Sequence, residues 1–210
     1  MNKGKLFEKD IENSFDDFIY VLRLNDSGSS FSGGSGSRFT PESPYDYIIF
    51  NQYDKEVLCL ELKSTKQSSV SMATKNDYLK YRFYYAKKDK DNAKIYKNKL
   101  KTNSIKIHQI INLYEAHKKG CSSYIIINFE KYDKTYAINI IDFINFWIST
   151  KKSSINLKDI IDNNGIEITK KNKKRSKIHF KYNVNILFKN DRKEMVFWQR
   201  LLIAKNMFLH

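Results

Sequence analysis

Hydrophobic and polar positions form their clearest pattern between Pro44 and Lys63. Two short runs rich in β-branched and aromatic residues flank a polar turn, which predicts two antiparallel strands. Alternate residues of a strand share one face. Glu61 and Lys63 therefore project together from a mostly apolar strand, on the face opposite three leucines, Leu58, Leu60 and Leu62.

Asp46 lies on the partner strand of this predicted hairpin, where its carboxylate can meet that of Glu61. Two carboxylates that share a divalent cation, with Lys63 beside them, are suited to hydrolysis by an activated water. A Glu-x-Lys pair is also common on the solvated face of a strand. Glu61-Leu-Lys63 is, however, the only such pair in this sequence.

Apolar residues near the N-terminus recur with helical spacing, which predicts an amphipathic helix over residues 4–22. Glu8, Glu12 and Asp16 follow one another at intervals of four along its edge. Like charges at this spacing destabilise a helix, so a cation or a basic partner would relieve them. For Glu12 and Asp16 an ordinary acidic helix flank is the alternative.

A Gly/Ser-rich tract over residues 25–43 follows, and its composition predicts a flexible loop that buries no core. The tract is compatible with a DNA-contacting loop that contains Arg38, with an inert linker and with an engineered replacement. Composition alone favours none of the three.

The middle of the chain predicts a helix from Ile107 that Gly120 ends in a left-handed cap. Strands over 124–129 and 135–141 follow, paired across a polar turn. Together with the first hairpin, these elements predict an α/β fold with one mixed central sheet flanked by helices.

The last third of the chain predicts two short helices, one capped by Asp142 and one over 157–163. A strand over 178–188 comes next. A helix over 191–210, opened by an Asp191/Glu194 capping box, completes a single domain that spans residues 1–210.

The net charge of +15 changes the picture, because such a surplus most often serves contact with a polyanion. Residues 74–101 hold ten Lys or Arg against three Asp, a net of +7, interleaved with six aromatic residues. This pattern is typical of a helical hairpin or of a surface that stacks on bases and neutralises phosphates. A second basic run covers 170–177. A merely solvated surface is the alternative for both. The candidate DNA-binding residues are Arg38, Lys87, Lys88, Lys90, Lys173, Lys174 and Arg175.

Two cysteines give neither a disulfide framework nor a zinc-binding spacing, which predicts a reduced, cytoplasmic setting. The N-terminus lacks the apolar region of a signal peptide, and polar residues interrupt the longest apolar run. We therefore expect no membrane span.

Several short motifs, taken in order, resemble the RecU-type Holliday junction resolvases of the PD-(D/E)xK nuclease superfamily. They are Gly4-Lys-Leu-Phe-Glu8, Tyr45-Asp46-Tyr47, Leu60-Glu61-Leu-Lys63, His108-Gln109-Ile110 with Gly120 before an Ile-rich strand, and Phe143-Ile-Asn-Phe-Trp147. The resemblance implies a restriction-endonuclease-like core, a homodimer, Mg²⁺ as cofactor with Mn²⁺ as a substitute, and a four-way DNA junction as substrate.

The resemblance also implies roles for particular residues. Asp46 and Glu61 match the metal-binding carboxylates, Lys63 the catalytic lysine, Glu8 the acidic residue of the first helix and Gln109 the glutamine of the helix after the active-site strands. Glu8 would complete the metal shell directly or through water.

Three departures from the family pattern stand out. The Gly/Ser tract replaces the stalk that enters the junction centre. The basic segment at about 74–103 is predicted to be an insertion. The helix from Asp191 extends past the usual end.

Three functions are compatible with these features. The first is a junction-resolving endonuclease for recombination and repair. The second is a related nuclease that acts on duplex or flapped DNA. The third is a DNA-binding protein without catalysis, which the intact set of Asp46, Glu61 and Lys63 disfavours.

Overall fold

The computed structural model of the protein describes residues 3–24, 43–172 and 180–188. Several predicted features lie outside the described residues. They are Arg38 with most of the Gly/Ser tract, the basic residues Lys173, Lys174 and Arg175, and the helix from Asp191.

The described residues form six α-helices, ten strands and two 3₁₀ turns at Glu130–Tyr132 and Val184–Phe188. In chain order the helices and strands are α1 (Lys3–Glu12), β1 (Ile19–Arg23), β2 (Tyr47–Asn51), β3 (Glu56–Thr65), β4 (Ser69–Ser71), α2 (Lys75–Ala86), α3 (Lys90–Lys101), α4 (Ile107–Lys118), β5 (Ser122–Phe129), β6 (Lys134–Asn139), α5 (Ile140–Ser149), β7 (Ser154–Asn156), α6 (Leu157–Asp162), β8 (Ile166–Glu167), β9 (Lys170–Asn172) and β10 (Phe180–Tyr182).

A six-stranded mixed sheet in the order β1-β2-β3-β5-β6-β8 organises the domain. Strands β3 and β5 are parallel, and every other neighbouring pair in this sheet is antiparallel. The predicted α/β class with a mixed central sheet is confirmed. Two small two-stranded sheets, β4 with β7 and β9 with β10, lie outside it.

Each face of the sheet has its own apolar core, because residues of a strand alternate between the two faces. Leu58, Leu60 and Leu62 pack with α1 and the 3₁₀ turn at Val184–Phe188. Cys59 belongs to the opposite core, which includes Ile110 and Leu113 of α4. Alternation along β3 therefore places Glu61 and Lys63 on the α4 side, as predicted.

The single helix predicted over 4–22 is wrong in its second half. Helix α1 ends at Glu12, and a turn leads into β1, which pairs antiparallel with β2. The Ser14 hydroxyl donates a hydrogen bond to the Asp10 backbone carbonyl at 2.5 Å, and this bond helps to end the helix. The β-branched Ile19 and Val21 then bury their side chains against the sheet core, where an extended strand suits them better than a helix.

Other boundaries also differ from the predictions. Asn139, and not Asp142, caps α5, since its side chain accepts a hydrogen bond from the Ile141 backbone amide at 2.9 Å. Of the strand predicted over 178–188, the described residues form β10 (Phe180–Tyr182) and then a 3₁₀ helix over Val184–Phe188. The first hairpin, helix α4 and the positive φ of Gly120 (93°) are confirmed.

The basic segment forms the predicted helical hairpin, α2 and α3. Thr74 caps α2 and Asp89 caps α3, each through a side-chain oxygen that accepts a backbone amide. Among the described residues, no helix is both long and apolar enough to cross a membrane.

Candidate active site

Strand register brings Asp46 and Glu61 together. Tyr47 pairs with Leu60, so Asp46 stands opposite Glu61 at the end of β2. The Asp46 amide donates to the Leu60 carbonyl at 3.0 Å, and its Oδ2 accepts from the Leu62 amide at 2.6 Å. Asp46 thus continues the pairing with β3 one position before the first residue of β2. Residues directly opposite each other share a face, so the side chains of Asp46 and Glu61 lie on the same side of the sheet.

Glu61 is fully buried, and its Oε1 is the meeting point of the site. Lys63 Nζ lies 2.6 Å from Glu61 Oε1, and Gln109 Nε2 donates to the same oxygen at 2.6 Å. A buried carboxylate needs a charge partner and hydrogen bonds to remain ionised. Lys63 supplies the charge partner and Gln109 the hydrogen bond, both at Oε1.

A backbone amide at the start of α4 orients the side chain of Gln109. Its Oε1 accepts the Lys106 backbone amide at 2.9 Å, which assigns the oxygen end of the amide and leaves Nε2 to face Glu61. The side chain is itself buried. Gln109 therefore links the start of α4 to the Glu61 carboxylate, a contact that the helix periodicity alone did not indicate.

Lys63 opens into a polar cleft of about 450 Å³. The cleft was missed from the sequence, where residues 64–69 read only as a polar stretch, because one of its serines, Ser104, comes from a distant segment. Ser71 and Ser104 are joined by a hydroxyl–hydroxyl hydrogen bond of 3.1 Å at the base of the α2–α3 hairpin. The cleft is lined by Lys63, Ser64, Thr65, Lys66, Gln67, Ser69, Val70, Ser71 and Ser104. Its hydroxyls and two lysines suit a phosphate backbone.

Glu8 belongs to α1, which packs on the face of the sheet opposite to the side chains of Glu61 and Lys63. It forms an ion pair with Arg23 of β1, whose guanidinium carbon lies 5.9 Å from the ring centroid of the buried Tyr47. Glu12 accepts a hydrogen bond from the Tyr47 hydroxyl at 3.3 Å. Asp16 faces Lys181 at 3.7 Å. Glu8 and Asp16 thus each have a basic partner, whereas Glu12 accepts from a tyrosine hydroxyl, and Asp16 lies beyond the end of α1.

The donor set at Asp46 and Glu61 fits a hard divalent cation. Mg²⁺ keeps several waters and is commonly held by one or two carboxylates. Within the described residues, no group of three or more His, Cys, Asp or Glu side chains is close enough to hold a metal ion. A metal at this site would therefore rest on Asp46 and Glu61, and the assignment of Glu8 to the shell stays a prediction.

Cys59 lies two residues before Glu61 but has no chemical part in the site. Burial raises the pKa of its thiol to about 11, and hydrogen bonding to Tyr45 opposes that rise. At neutral pH the group is a protonated thiol, which is a poor nucleophile and metal ligand. Both cysteines of the chain are free, as predicted.

Lys87, Lys88 and Lys90 lie at the turn that joins α2 to α3, and all three are exposed. Lys88 adopts a positive φ of 59°, which closes the turn. These three of the basic residues predicted to contact DNA thus lie at the tip of the hairpin, while Lys63 and Lys66 line the cleft at its base.

A mixed sheet that brings two carboxylates and a lysine together beside a polar cleft is an arrangement compatible with phosphodiester hydrolysis. The profile of a family described as "Recombination protein U" (RecU) matches residues 64–185, more than half of the chain. The chain belongs to this family of Holliday junction resolvases. The matched segment includes Gln109 and begins directly after Lys63.

No curated protein matches the chain. Among solved structures, the chain is similar to Hjc of Archaeoglobus fulgidus, described as a Holliday junction resolvase from an archaeal hyperthermophile. The identity is 12%, the TM-score is 0.38, and the alignment covers 71% of this chain and 83% of the other. A likeness this distant does not determine the activity of the chain.

Proposed function

We propose that this RecU-family enzyme is a Mg²⁺-dependent endonuclease that cuts four-way DNA junctions by phosphodiester hydrolysis. The observation that carries the proposal is the convergence of Asp46, Glu61 and Lys63 on the paired strands β2 and β3. The two carboxylates would hold a divalent ion, and Lys63 opens into a cleft whose hydroxyls and lysines suit a phosphate.

The side chains divide the chemistry among themselves. Asp46 and Glu61 would hold the ion, which when bound supplies Lewis acidity toward a phosphoryl oxygen and a more acidic water. Lys63, whose side chain lines the cleft, orients the attacking water and offsets the negative charge that develops on phosphorus. Gln109 keeps Glu61 in the orientation that both tasks require.

The direct test uses a labelled four-way junction and a duplex of matched sequence. We expect symmetric nicks in the junction with Mg²⁺ and no cleavage in a chelator, with excess unlabelled duplex present at physiological salt. The reason is that a two-fold dimer offers two sites to two equivalent strands. Equal cleavage of the duplex would move the enzyme to the class that acts on duplex or flapped DNA.

We propose that the enzyme works as a homodimer, supported by an apolar face on the outer strands. Tyr20 pairs with Phe50 across β1 and β2, and Leu22 pairs with Ile48. Helices α4 and α5 pack over β3, β5 and β6 and leave Tyr20 (61%) and Leu22 (40%) exposed. None of these four side chains is charged, although the chain has 38 Lys and Arg residues. Such a face suits a second copy, since two highly basic chains repel elsewhere.

The dimer face gives a second prediction. Leu22→Glu, alone or with Tyr20→Glu, is expected to weaken self-association at least about tenfold, because a two-fold axis would bring the new carboxylates together in an apolar contact. Sedimentation velocity over a concentration series measures this. Tyr132→Glu, at a side chain 40% exposed elsewhere, is the matched control. A monomeric wild type would remove the dimer proposal.

The third prediction concerns DNA affinity, which we assign largely to phosphate contacts by the basic surface. If the tip of the α2–α3 hairpin contacts phosphates, replacing Lys87, Lys88 and Lys90 with Ala should make the dependence of log affinity on log salt shallower by about 0.9 per lost phosphate contact on duplex arms. Fluorescence anisotropy at several salt concentrations gives the slope. An unchanged slope would show that the hairpin tip does not touch the backbone.

A further inference from the structure

The base of the α2–α3 hairpin packs against the core of the domain, whereas its tip is exposed to solvent. At the base, Tyr78 and Leu100 are buried, and the Tyr78 ring packs 6.5 Å from that of Trp147. Between the helices, Tyr84 and Tyr96 stack with centroids 5.7 Å apart and an interplanar angle of 10°. These contacts make the hairpin a rigid arm, about 18 Å long for twelve residues per helix.

The structure separates the six aromatic residues of this arm by role. Tyr78 belongs to the core, Tyr84 and Tyr96 hold the helices together, and Tyr81 packs against the core from the side. Phe83 and Tyr85 remain, 53% and 68% exposed in the last turn of α2. Phe83 contacts the Tyr84 ring edge-on at a centroid distance of 5.3 Å, and Tyr85 contacts Tyr81 at 5.8 Å. Both residues are nevertheless more than half exposed, and a binding role would account for that exposure.

The surroundings of these two rings define the chemistry of a partner. Lys87 Nζ lies 4.3 Å from the Phe83 ring centroid, and Lys88 and Lys90 follow at the turn. The arm carries a net charge of +7. A matching ligand has flat apolar faces and negative charge at short intervals. Unpaired nucleotides combine the two, whereas duplex DNA hides its base faces within the stack.

We propose that Phe83 and Tyr85 are a stacking site for unpaired DNA bases, with Lys87 as the neighbouring phosphate contact. The site rests on the proposed function and extends it, because it names the part of the substrate that the arm recognises. The open centre of a four-way junction exposes bases that a linear duplex does not.

The position of the arm agrees with this role. Ser104 lies three residues after the end of α3 and lines the cleft that Lys63 opens into. A strand whose phosphate occupies the cleft passes the base of the arm, and its continuation reaches the tip. The arm would thus grip bases on one side of the scissile phosphate, in place of a stalk between α1 and β2.

The test separates stacking from charge, since Phe83→Ala and Tyr85→Ala leave every lysine in place. We measure binding without metal to a single-stranded oligonucleotide, a four-way junction and a linear duplex. Each substitution is expected to weaken binding to the single strand and the junction roughly 5- to 100-fold, the range for loss of one base stack. Duplex affinity and the salt slope should be unchanged. Tyr53→Ala, at a ring 71% exposed on the β2–β3 turn, should change none of these.

A second measurement does not depend on affinity. Photocrosslinking of a halogenated-uracil oligonucleotide should attach to the peptide that contains Phe83 and Tyr85, and Phe83→Ala should reduce the yield. Equal loss of duplex and single-strand binding, or no loss at all, would overturn the stacking site. Because these assays contain no metal, a wild type that binds unpaired DNA but fails to cut junctions would refute only the proposed function.

Discussion

Asp46→Asn and Glu61→Gln are each expected to abolish detectable Mg²⁺-dependent cleavage while DNA binding stays within a few fold. Each change removes one of the two negative charges that would hold the ion. In the first variant the new side-chain amide oxygen can still accept from the Leu62 backbone amide. In the second the new amide oxygen can still accept from Lys63 and Gln109. The fold therefore has no reason to change, and the basic surface that supplies affinity is untouched.

Single-turnover cleavage and anisotropy on the same protein preparations measure the two effects. Asp54→Asn is the matched control, since Asp54 lies on the turn of the same hairpin and accepts a hydrogen bond from Asn51 at 2.9 Å, away from the site. It should cleave at the wild-type rate. Wild-type cleavage by the Asp46 or Glu61 variant would reject the metal assignment.

Lys63→Met should lower the cleavage rate by about 10²- to 10³-fold, the usual loss when one preorganised charge-stabilising group is removed. Methionine keeps the apolar stem and deletes only the charge. Lys66→Met, three residues along in the same cleft, should lose no more than a few fold, because it would contact phosphate without touching Glu61. Equal losses of cleavage rate in the two variants would show that Lys63 serves only as a general phosphate contact.

The same change should also destabilise the fold, by about 2–3 kcal/mol, because it leaves the buried Glu61 carboxylate without its cation. The Lys63 side chain is 20% exposed, so we place the loss below that of a fully buried pair. Adding Glu61→Gln should restore most of the stability but no activity. Denaturant unfolding of the two single variants and the double variant measures this coupling. A double variant no more stable than Lys63→Met would contradict it.

The stretch from Tyr45 to Lys63 shows how much of the candidate site local sequence can predict. Alternation along a strand is strictly periodic, so it assigned Glu61 and Lys63 to one face and the leucines to the other. The polar turn fixed the pairing closely enough to set Asp46 opposite Glu61. The family, the mixed sheet and the helical form of the basic segment also followed from sequence, because each depends on patterns within one or two elements.

Contacts between distant segments were decided only by the tertiary structure. Helical spacing of Phe7, Ile11 and Phe15 extended into residues that join β2 as a strand, because pairing and burial override a weak local preference. Gln109 reaches Glu61 across 48 positions, and Ser104 meets Ser71 across 33. The same holds for the six aromatic residues of the basic arm. Sequence marked them as one group, and only packing against Trp147 and Tyr96 separated the rings that hold the fold from the two that stay more than half exposed.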